Sequence, residues 1–383
     1  MHVLIVSVTA GNGHNAAGEA IAQQFRDLSL TTEIEIVQED LYEYCGQLFY
    51  QAMDKGYVFL TRYLPEMFGS AYDQLDSSAS SRRIGAVVSA SAFITKRFKS
   101  YFRDSSPDVI IATHVFAANV LSELKESGQI TAPIIGILTD YCIHPYWEDC
   151  AHIDYLVTPD ECLSYSAERK GMAVEKLLPF GIPVREKFLT SVDALTARRT
   201  LGLDEKLRTV LVMGGSMGFG EIAETVDDIL ELDEDYQVVV ICGNNHKLFD
   251  DLIRRENDNL RVLGFIDNVD QYMDASDVIV TKPGGLTATE LLVKNLPAII
   301  INPIPGPETR NLEFLRNSGC VLYADKRFPV SEALRLLFKT PERAAELKKA
   351  AKRIAKPNAA KDICEFAKNL TAHTEHEGKD WKL

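Results

Sequence analysis

The segment from Val278 to Asn311 restricts the fold of this 383-residue chain more than any other segment. A β-branched strand (Val278–Val280) leads through a Lys-Pro-Gly-Gly turn into a helix predicted from about Leu286 to Lys294, and a second apolar strand follows at Ala298–Ile301. Strand, helix and strand in this order predict a βαβ unit with parallel strands. Ligands of such sheets bind beyond the carboxyl ends of the strands, so we expect a ligand at the loops that follow these two strands.

The loop after the first strand has residues that suit a nucleotide diphosphate and its ribose. Gly284 and Gly285 let the backbone approach a ligand and start a helix whose N-terminal amides favour anions, and Lys282 adds a positive charge. Glu290 lies one turn into the helix, where its carboxylate could accept both hydroxyls of a ribose. The alternative is a capping box formed by Thr287 and Glu290, which would make Glu290 purely structural.

The same segment carries a family resemblance. Lys-Pro-Gly-Gly-Leu-Thr from Lys282, then Glu290, then Pro-Gly-x-Glu-x-x-Asn from Pro305 to Asn311 resembles the monogalactosyldiacylglycerol synthases and processive diacylglycerol glucosyltransferases. This resemblance implies the GT-B architecture, in which two Rossmann-like, doubly wound α/β domains face each other across a cleft. It also implies a UDP-sugar donor (UDP-glucose or UDP-galactose), a diacylglycerol-type lipid acceptor, and an inverting transfer that needs neither a metal nor a cofactor.

The second loop adds donor contacts under this resemblance, and it also departs from the family. Glu308 and Asn311 would hold sugar hydroxyls or phosphate, and Arg310 would assist Lys282 with the leaving diphosphate. Pro307 stands where the family usually has Gln, and proline offers neither a side-chain donor nor a backbone N–H. The sequence therefore leaves the donor sugar open.

A glycine turn follows the N-terminal strand at residues 2–8. In the resembled family a Gly-x-Gly-His turn faces the acceptor, which assigns Gly13 to acceptor binding and His14 to the acceptor hydroxyl as a base. A helix N-terminus disfavours the cationic form of His14 and leaves a neutral imidazole that can take a proton. The alternative is a histidine that only caps the helix.

The same turn also admits a dinucleotide interpretation. Gly11, Gly13 and Ala16 satisfy the loose NAD fingerprint, and Glu39 or Asp40 ends the second strand, where a ribose ligand would lie. We prefer the glycosyltransferase hypothesis because so short a motif matches many unrelated sequences.

Two further strands carry polar residues at their carboxyl ends. The first is Asp108–His114, and the second ends at Asp140. The family has a similar Thr-Asp…His-Pro-x-Trp run on the acceptor side, which implies that Asp140 orients a base or acts as one and that His144 and Trp147 shape the headgroup site. The alternative is ordinary loop structure, with Trp147 in the core. Two Cys-x-His pairs in residues 142–152 imitate zinc ligands, but their spacing is uncommon, and no metal site is predicted.

Aromatic and basic residues are concentrated between residues 41 and 103, where eight Lys/Arg and five Asp/Glu give a net charge of +3. A helix at residues 93–103 would be amphipathic and suited to an anionic membrane surface. The predicted membrane contacts are Lys96, Arg97, Phe98, Lys99, Phe102 and Arg103. The alternative is a helix whose aromatic side chains pack inwards.

In the second half, the strand Arg208–Met213 runs into a glycine-rich loop. Backbone amides there are predicted to cradle the diphosphate at Gly214, Gly215, Ser216 and Gly218. The alternative is a tight turn without a ligand. By the resemblance, Phe265 would lie beside the uracil.

These patterns predict an acceptor-binding domain at 1–185, with 41–103 as its membrane or acceptor segment, and a nucleotide-sugar domain at 195–340. A helix at 341–370 would return toward the first domain, and 371–383 would be flexible. The net charge of −14 argues against a nucleic-acid partner, and seven cysteines without a CxxC pair fit a reducing compartment. Without a signal peptide or an apolar span of about 20 residues, we expect a cytoplasmic protein at the inner face of the cell membrane.

Three other functions would share this fold. They are a glycosyltransferase with a soluble acceptor, a UDP-sugar 2-epimerase, and a UDP-sugar sensor without catalysis. The sequence also leaves open the number of sugars added and the oligomeric state.

Overall fold

The computed structural model describes residues 1–9, 13–29, 33–44, 105–215, 221–232 and 235–377, together with Glu66, Met67, Gly69, Ser70, Tyr72, Asp73, Phe98, Tyr101 and Phe102. The chain divides into two compact units. Unit 1 comprises Met1–Arg185 and Lys356–Leu383, and unit 2 comprises Glu186–Ala355.

Unit 1 is built on a six-stranded parallel sheet in the order β2-β1-β3-β4-β5-β6. Its strands are β1 (His2–Ser7), β2 (Glu35–Asp40), β3 (Val109–Ala112), β4 (Ile134–Ile137), β5 (Tyr155–Val157) and β6 (Leu177–Leu178). Its α-helices of known bounds are α1 (Gly13–Ser29), α2 (Val115–Glu126), α3 (Ser164–Arg169) and, from the end of the chain, α12 (Ala359–Glu377).

Alternate residues of the central strands fill two cores, one on each face of this sheet. Leu4 and Val6 of β1 belong to the core that includes Leu121 of α2. Val3 and Ile5 belong to the other core, which α1 and α12 cover. The strands are apolar along their length because both of their faces are buried.

The last helix completes the second of these cores. Ile363 and Ala367 of α12 are fully buried in it, and the Cys364 thiol lies 3.6 Å from the carbonyl oxygen of Ile21 in α1. Although the sequence predicts a flexible segment from residue 371, α12 continues to Glu377.

Unit 2 has a second parallel sheet, in the order β12-β11-β10-β7-β8-β9. Its strands are β7 (Arg208–Met213), β8 (Tyr236–Ile241), β9 (Leu260–Leu263), β10 (Val278–Thr281), β11 (Ala298–Ile300) and β12 (Val321–Tyr323). Its helices are α4 (Ala194–Leu201), α5 (Ile222–Leu230), α6 (His246–Leu252), α7 (Val269–Ala275), α8 (Gly285–Val293), α9 (Pro307–Asn317), α10 (Val330–Lys339) and α11 (Pro341–Ile354).

The βαβ unit predicted from the sequence is confirmed as β10, α8 and β11. Val280 of β10 pairs with Ile299 of β11 in parallel register. Counted from β7, the strand order of unit 2 is that of a Rossmann fold, so the doubly wound α/β prediction is also confirmed.

Each sheet has a point at which its strand order reverses. In unit 1 this switch point lies between β1 and β3, and in unit 2 it lies between β7 and β10. Open α/β sheets bind ligands outside the carboxyl ends of such strands. His14 follows the switch-point strand β1, and Gly214 and Lys282 follow the switch-point strands β7 and β10.

Among the residues that the structure describes, no helix combines the length and the apolar character that crossing a membrane requires.

Candidate functional site

Three histidines lie beyond the carboxyl ends of the strands of unit 1, and we call them the histidine cluster (His14, His114 and His144). His14 is the second residue of α1, and His114 is the N-cap of α2. Their rings are perpendicular, with 4.4 Å between centroids. His144 follows β4 and caps the short 3₁₀ helix Pro145–Asp149.

Hydrogen bonds fix which ring nitrogen carries the proton in each neutral histidine. Nδ1 of His14 lies 3.0 Å from the carbonyl oxygen of Thr113, which can only accept, so Nδ1 is protonated and Nε2 is not. In His114, Nδ1 accepts the backbone N–H of Phe116 at 3.0 Å, which leaves the proton on Nε2. His144 does the same with the N–H of Tyr146 at 3.2 Å. Within the cluster, His14 therefore presents an unprotonated Nε2.

His14 and His114 favour the uncharged form near neutral pH. Burial lowers the pKa of His14, while the nearby Asp140 carboxylate and the Thr113 carbonyl act in the opposite direction. Burial holds the pKa of His114 well below its ordinary value, and the neighbouring His14 and His144 lower it further. The neutral state of His14 was predicted from the helix N-terminus, but burial is its main cause. Asp140 favours the imidazolium form of His14, and its own catalytic role stays a prediction.

The prediction that Trp147 contacts the acceptor is wrong. Its side chain is 4% exposed and belongs to the core of unit 1. A Cβ atom at Gly136 would stand 2.6 Å from the indole ring, so the glycine in β4 makes room for it. Gly13 is the first residue of α1 and is partly exposed. Its acceptor role, like that of His144, stays a prediction.

The predicted membrane segment is largely outside the described residues, which leave out Lys96, Arg97, Lys99 and Arg103. Phe98 is fully buried, and its ring contacts those of Tyr44, Tyr101 and Phe102. Phe102 packs against the same core. For Phe98, inward packing is correct and the membrane contact is wrong, whereas Phe102 is partly exposed and its membrane contact stays a prediction.

The carboxylates that an NAD site would need are used within the protein. Asp40 accepts the backbone N–H groups of Thr9 at 3.3 Å and Tyr42 at 2.9 Å, which closes the loop after β1. Glu39 accepts the hydroxyl of Tyr44 at 2.9 Å. The part of the chain that the structure describes also contains no group of three or more His, Cys, Asp or Glu side chains able to hold a metal ion.

At the switch point of unit 2, two predicted donor residues bind each other, and we call them the lysine–glutamate pair (Lys282 and Glu308). Nζ of Lys282 forms an ion pair with Oε1 of Glu308, and the two side chains are 16% and 12% exposed. Oε2 of Glu308 accepts the N–H of Ile304 at 2.9 Å. Gly215 adopts φ +73°, and a Cβ atom there would stand 3.0 Å from Cε of Lys282. The glycine loop after β7 thus leaves space for the lysine.

The start of α8 excludes the capping-box alternative. Gly284 is the N-cap and Gly285 the first helical residue, so Thr287 lies inside the first turn. Glycine supplies no side-chain cap, which leaves the first amides suited to an anion. Glu290 is buried, with 8% exposure, and its contact to a ribose stays a prediction.

The second loop is organised around the start of α9. Gly306 is the N-cap with φ +100°, and Pro307 occupies the first helical position, where a proline loses no hydrogen bond. Asn311 is fully buried, and its Nδ2 donates to the carbonyl oxygen of Pro283 at 3.0 Å. Asn311 thus anchors the turn before α8, and its contact to the donor stays a prediction.

Several donor predictions remain untested by these contacts. Arg310 lies in the first turn of α9 and is partly exposed, and Phe265 is 55% exposed. Gly214 is buried at the end of β7, while Ser216 and Gly218 lie outside the described residues.

Sequence reasoning missed His114, Thr113 and Thr139, which surround His14. Nδ1 of His14 is 3.0 Å from Oγ1 of Thr139 as well as from the Thr113 carbonyl. The available signal was the position of all three at the carboxyl ends of β3 and β4.

The two Rossmann-like units define a protein with the GT-B fold. Similar solved structures include MurG of Acinetobacter baumannii, with 16% identity, a TM-score of 0.57, and coverage of 96% of this chain and 99% of that one. The UDP-GlcNAc 2-epimerase of Neisseria meningitidis bound to UDP-GlcNAc has 13% identity, a TM-score of 0.61, and coverage of 95% and 99%. Anabaena HepE in complex with UDP-glucose has 12% identity, a TM-score of 0.56, and coverage of 97% and 100%.

Sequence comparison gives the family. Residues 14–184 match the model of monogalactosyldiacylglycerol (MGDG) synthase, and residues 209–363 match that of the glycosyltransferase family 28 C-terminal domain. A processive diacylglycerol beta-glucosyltransferase of Staphylococcus saprophyticus is 26% identical over 381 residues, covering 98% of this chain and 94% of that protein. One from Bacillus cereus strain AH187 is 26% identical over 368 residues, covering 94% and 92%. The chain belongs to the family of monogalactosyldiacylglycerol synthases and processive diacylglycerol glucosyltransferases.

Proposed function

We propose that this protein transfers a hexose from a UDP-sugar to a hydroxyl group of diacylglycerol or of a glycosyldiacylglycerol, with inversion at the anomeric carbon. The observation that carries the proposal is the near full-length similarity to processive diacylglycerol beta-glucosyltransferases. The two candidate sites supply a base and an anion-binding loop, which are the two parts that such a transfer needs.

His14 is the proposed base. Its unprotonated Nε2 takes the proton of the acceptor hydroxyl as the oxygen attacks the anomeric carbon. The Thr113 carbonyl holds Nδ1–H at 3.0 Å and keeps the ring in the required tautomer. Burial keeps the imidazole neutral before the reaction, and the Asp140 carboxylate stabilises the imidazolium that forms.

The switch point of unit 2 is the proposed site of the nucleotide sugar. Negative charge develops on the diphosphate as the bond to the sugar breaks. The amides at the start of α8, the glycine loop after β7 and the Lys282 ammonium supply positive charge there. The proposal assigns leaving-group stabilisation to these groups and not to a metal ion.

A diacylglycerol acceptor places the proposed reaction at a membrane surface. The protein would then bind that surface peripherally, and the basic side chains of residues 96–103 remain the proposed contacts. Lysine and arginine near an anionic leaflet favour such binding, and salt weakens it.

The decisive experiment measures UDP release from UDP-glucose, UDP-galactose and UDP-N-acetylglucosamine, each with and without diacylglycerol vesicles. We expect release that depends on the vesicles and on one of the donors, together with a glycolipid product whose anomeric configuration is inverted. The matched variant His14→Gln should still bind UDP, but it should release little UDP from the donor sugar nucleotide.

Two results would replace the proposal. UDP binding without release in the presence of any lipid would favour a soluble acceptor or a sensor. Conversion of UDP-N-acetylglucosamine without an acceptor would indicate a 2-epimerase, whose similarity to this chain is one of fold.

A further inference from the structure

In the lysine–glutamate pair, the charge of each side chain is neutralised by the other side chain. Oε1 of Glu308 holds the Lys282 ammonium, and Oε2 accepts the Ile304 N–H at 2.9 Å. Both side chains are largely buried, at 16% and 12% exposure. Two groups that were predicted to bind the donor are therefore bound to each other.

The position of the Glu308 carboxylate is the second observation. A Cβ atom at Gly284, the N-cap of α8, would stand 3.6 Å from Oε1 of Glu308. The carboxylate thus lies at the positive end of a nine-residue helix, which is where anions are stabilised. Glu308 occupies the electrostatic position that a diphosphate would take, and it neutralises the lysine that would bind it.

A diphosphate cannot take this position while the pair is intact without meeting a carboxylate of like charge. We propose that Glu308 is a resident counter-ion: donor binding moves Lys282 from Glu308 to the diphosphate and frees the carboxylate for the sugar hydroxyls. This inference rests on the proposed function, because it takes a UDP-sugar as the ligand.

This exchange of ion-pair partners affects the binding affinity for UDP differently from that for a UDP-sugar. Both ligands must separate Lys282 from Glu308, but UDP alone has no sugar whose hydroxyl groups replace the lost bonds of the carboxylate. Glu308 consequently weakens the binding of UDP relative to the intact donor. The spent nucleotide is then released in favour of a new donor, which suits an enzyme whose product is UDP.

The test is isothermal titration calorimetry of UDP and UDP-glucose, without acceptor, for the wild type and for Glu308→Gln. Glutamine keeps the size of the side chain and an oxygen for the Ile304 N–H, but it removes the charge. We expect Glu308→Gln to bind UDP about tenfold more tightly and UDP-glucose no more tightly than the wild type. Glu313→Gln is the matched control, since Glu313 is exposed on the same helix and should change neither affinity.

A double-mutant cycle assigns the effect to the pair. Lys282→Met should weaken the binding of both ligands. In the Lys282→Met background, adding Glu308→Gln should no longer increase the affinity for UDP. If Glu308→Gln does not fold, Glu308→Ala is measured in its place and should tighten UDP in the same direction.

The possible failures are distinguishable. A wild type that binds neither UDP nor UDP-glucose contradicts the proposed function itself. A wild type that binds both, with weaker UDP binding in Glu308→Gln, shows that Glu308 positions Lys282 for the diphosphate. Unchanged UDP binding in Glu308→Gln would show that Glu308 acts only on the sugar. Either of these last two results would contradict the proposed exchange of Lys282 from Glu308 to the diphosphate.

Discussion

The two units place their candidate sites at the same topological position but build them from opposite electrostatics. Unit 1 gathers three imidazoles beyond the carboxyl ends of its strands, each hydrogen-bonded to a backbone group, and burial favours the neutral form of His14 and His114. Unit 2 has a buried ion pair there. A neutral imidazole gains charge when it takes a proton, whereas an ion pair exchanges one partner for another. One sheet edge is thus suited to moving a proton and the other to binding an anion.

The largest predicted effect separates these two tasks. His14→Ala should lower kcat by about 10²–10⁴-fold and leave the affinity for UDP unchanged, because it removes the base and no part of the anion site. Steady-state kinetics and UDP titration measure the two quantities. The control His152→Gln replaces an exposed histidine of unit 1 and should leave both unchanged. Near-normal turnover of His14→Ala would move the base to Asp140 or elsewhere.

A smaller effect is expected from a substitution in unit 2 that weakens donor binding and leaves the proposed base in place. Glu290→Ala should raise the KM for the donor by tens of fold, since it removes the proposed ribose ligand, and kcat should change less. Donor-dependent kinetics and a thermal melt of the variant check the prediction. Glu313→Ala serves as the control on an exposed carboxylate. Unchanged donor binding in a folded Glu290→Ala protein would assign Glu290 to packing alone.

The third prediction concerns the surroundings of His14. His114→Asn keeps an N-cap for α2 but removes the ring that covers His14. Burial lowers the pKa of His14, so greater exposure should raise it toward its ordinary value of 6.5. The acid limb of the profile of kcat/KM against pH should then move to higher pH, with activity at pH 6 lower by at most about fourfold.

A matched variant separates this effect from loss of the cap. His114→Ala removes both the cap and the ring, and it should lose stability that His114→Asn retains. An acid limb that stays in place in His114→Asn would show that other groups bury His14.

The smallest effect is on stability. His14 and His114 have lowered pKa values in the folded protein, so the unfolded chain binds protons first as the pH falls below about 6.5. The free energy of unfolding of unit 1 should therefore decrease between pH 7 and pH 5, by at most about 1.4 kcal/mol per pH unit for each histidine. The double variant His14→Gln/His114→Asn should show a shallower decrease.

Fluorescence can isolate this measurement. Trp147 lies in the core of unit 1, and Trp381 is the second tryptophan of the chain. Replacing Trp381 with Phe leaves one reporter, in unit 1. An equal decrease with pH in the wild type and the double variant would contradict the role of the two histidines.

The sequence predicted the sheets and helices of the fold better than the side-chain contacts of the candidate sites. Hydrophobic runs and glycine turns predicted strands such as β1, β3, β7, β10 and β11, but not the edge strands β6 and β12. Parallel topology placed His14, Lys282 and Glu308 after strand ends, because those ends share one edge of each sheet. Which way each side chain points depends on packing, and local pattern does not encode it. Trp147, for example, lies in the core of unit 1, whereas His114, which the sequence placed at the end of a strand, had not been assigned to the site.

Because Ile363 and Ala367 lie in the core of unit 1, this unit is assembled from the first and the last parts of the chain. A ribosome completes all of unit 2 before it releases the residues that cover α1. We therefore expect unit 2 to fold first during synthesis and unit 1 to remain open until α12 has been synthesised, which reverses the usual N-terminal-first order. A premature stop codon near residue 355 would leave unit 2 intact and the core of unit 1 incompletely covered, and quality-control proteases would degrade such a product.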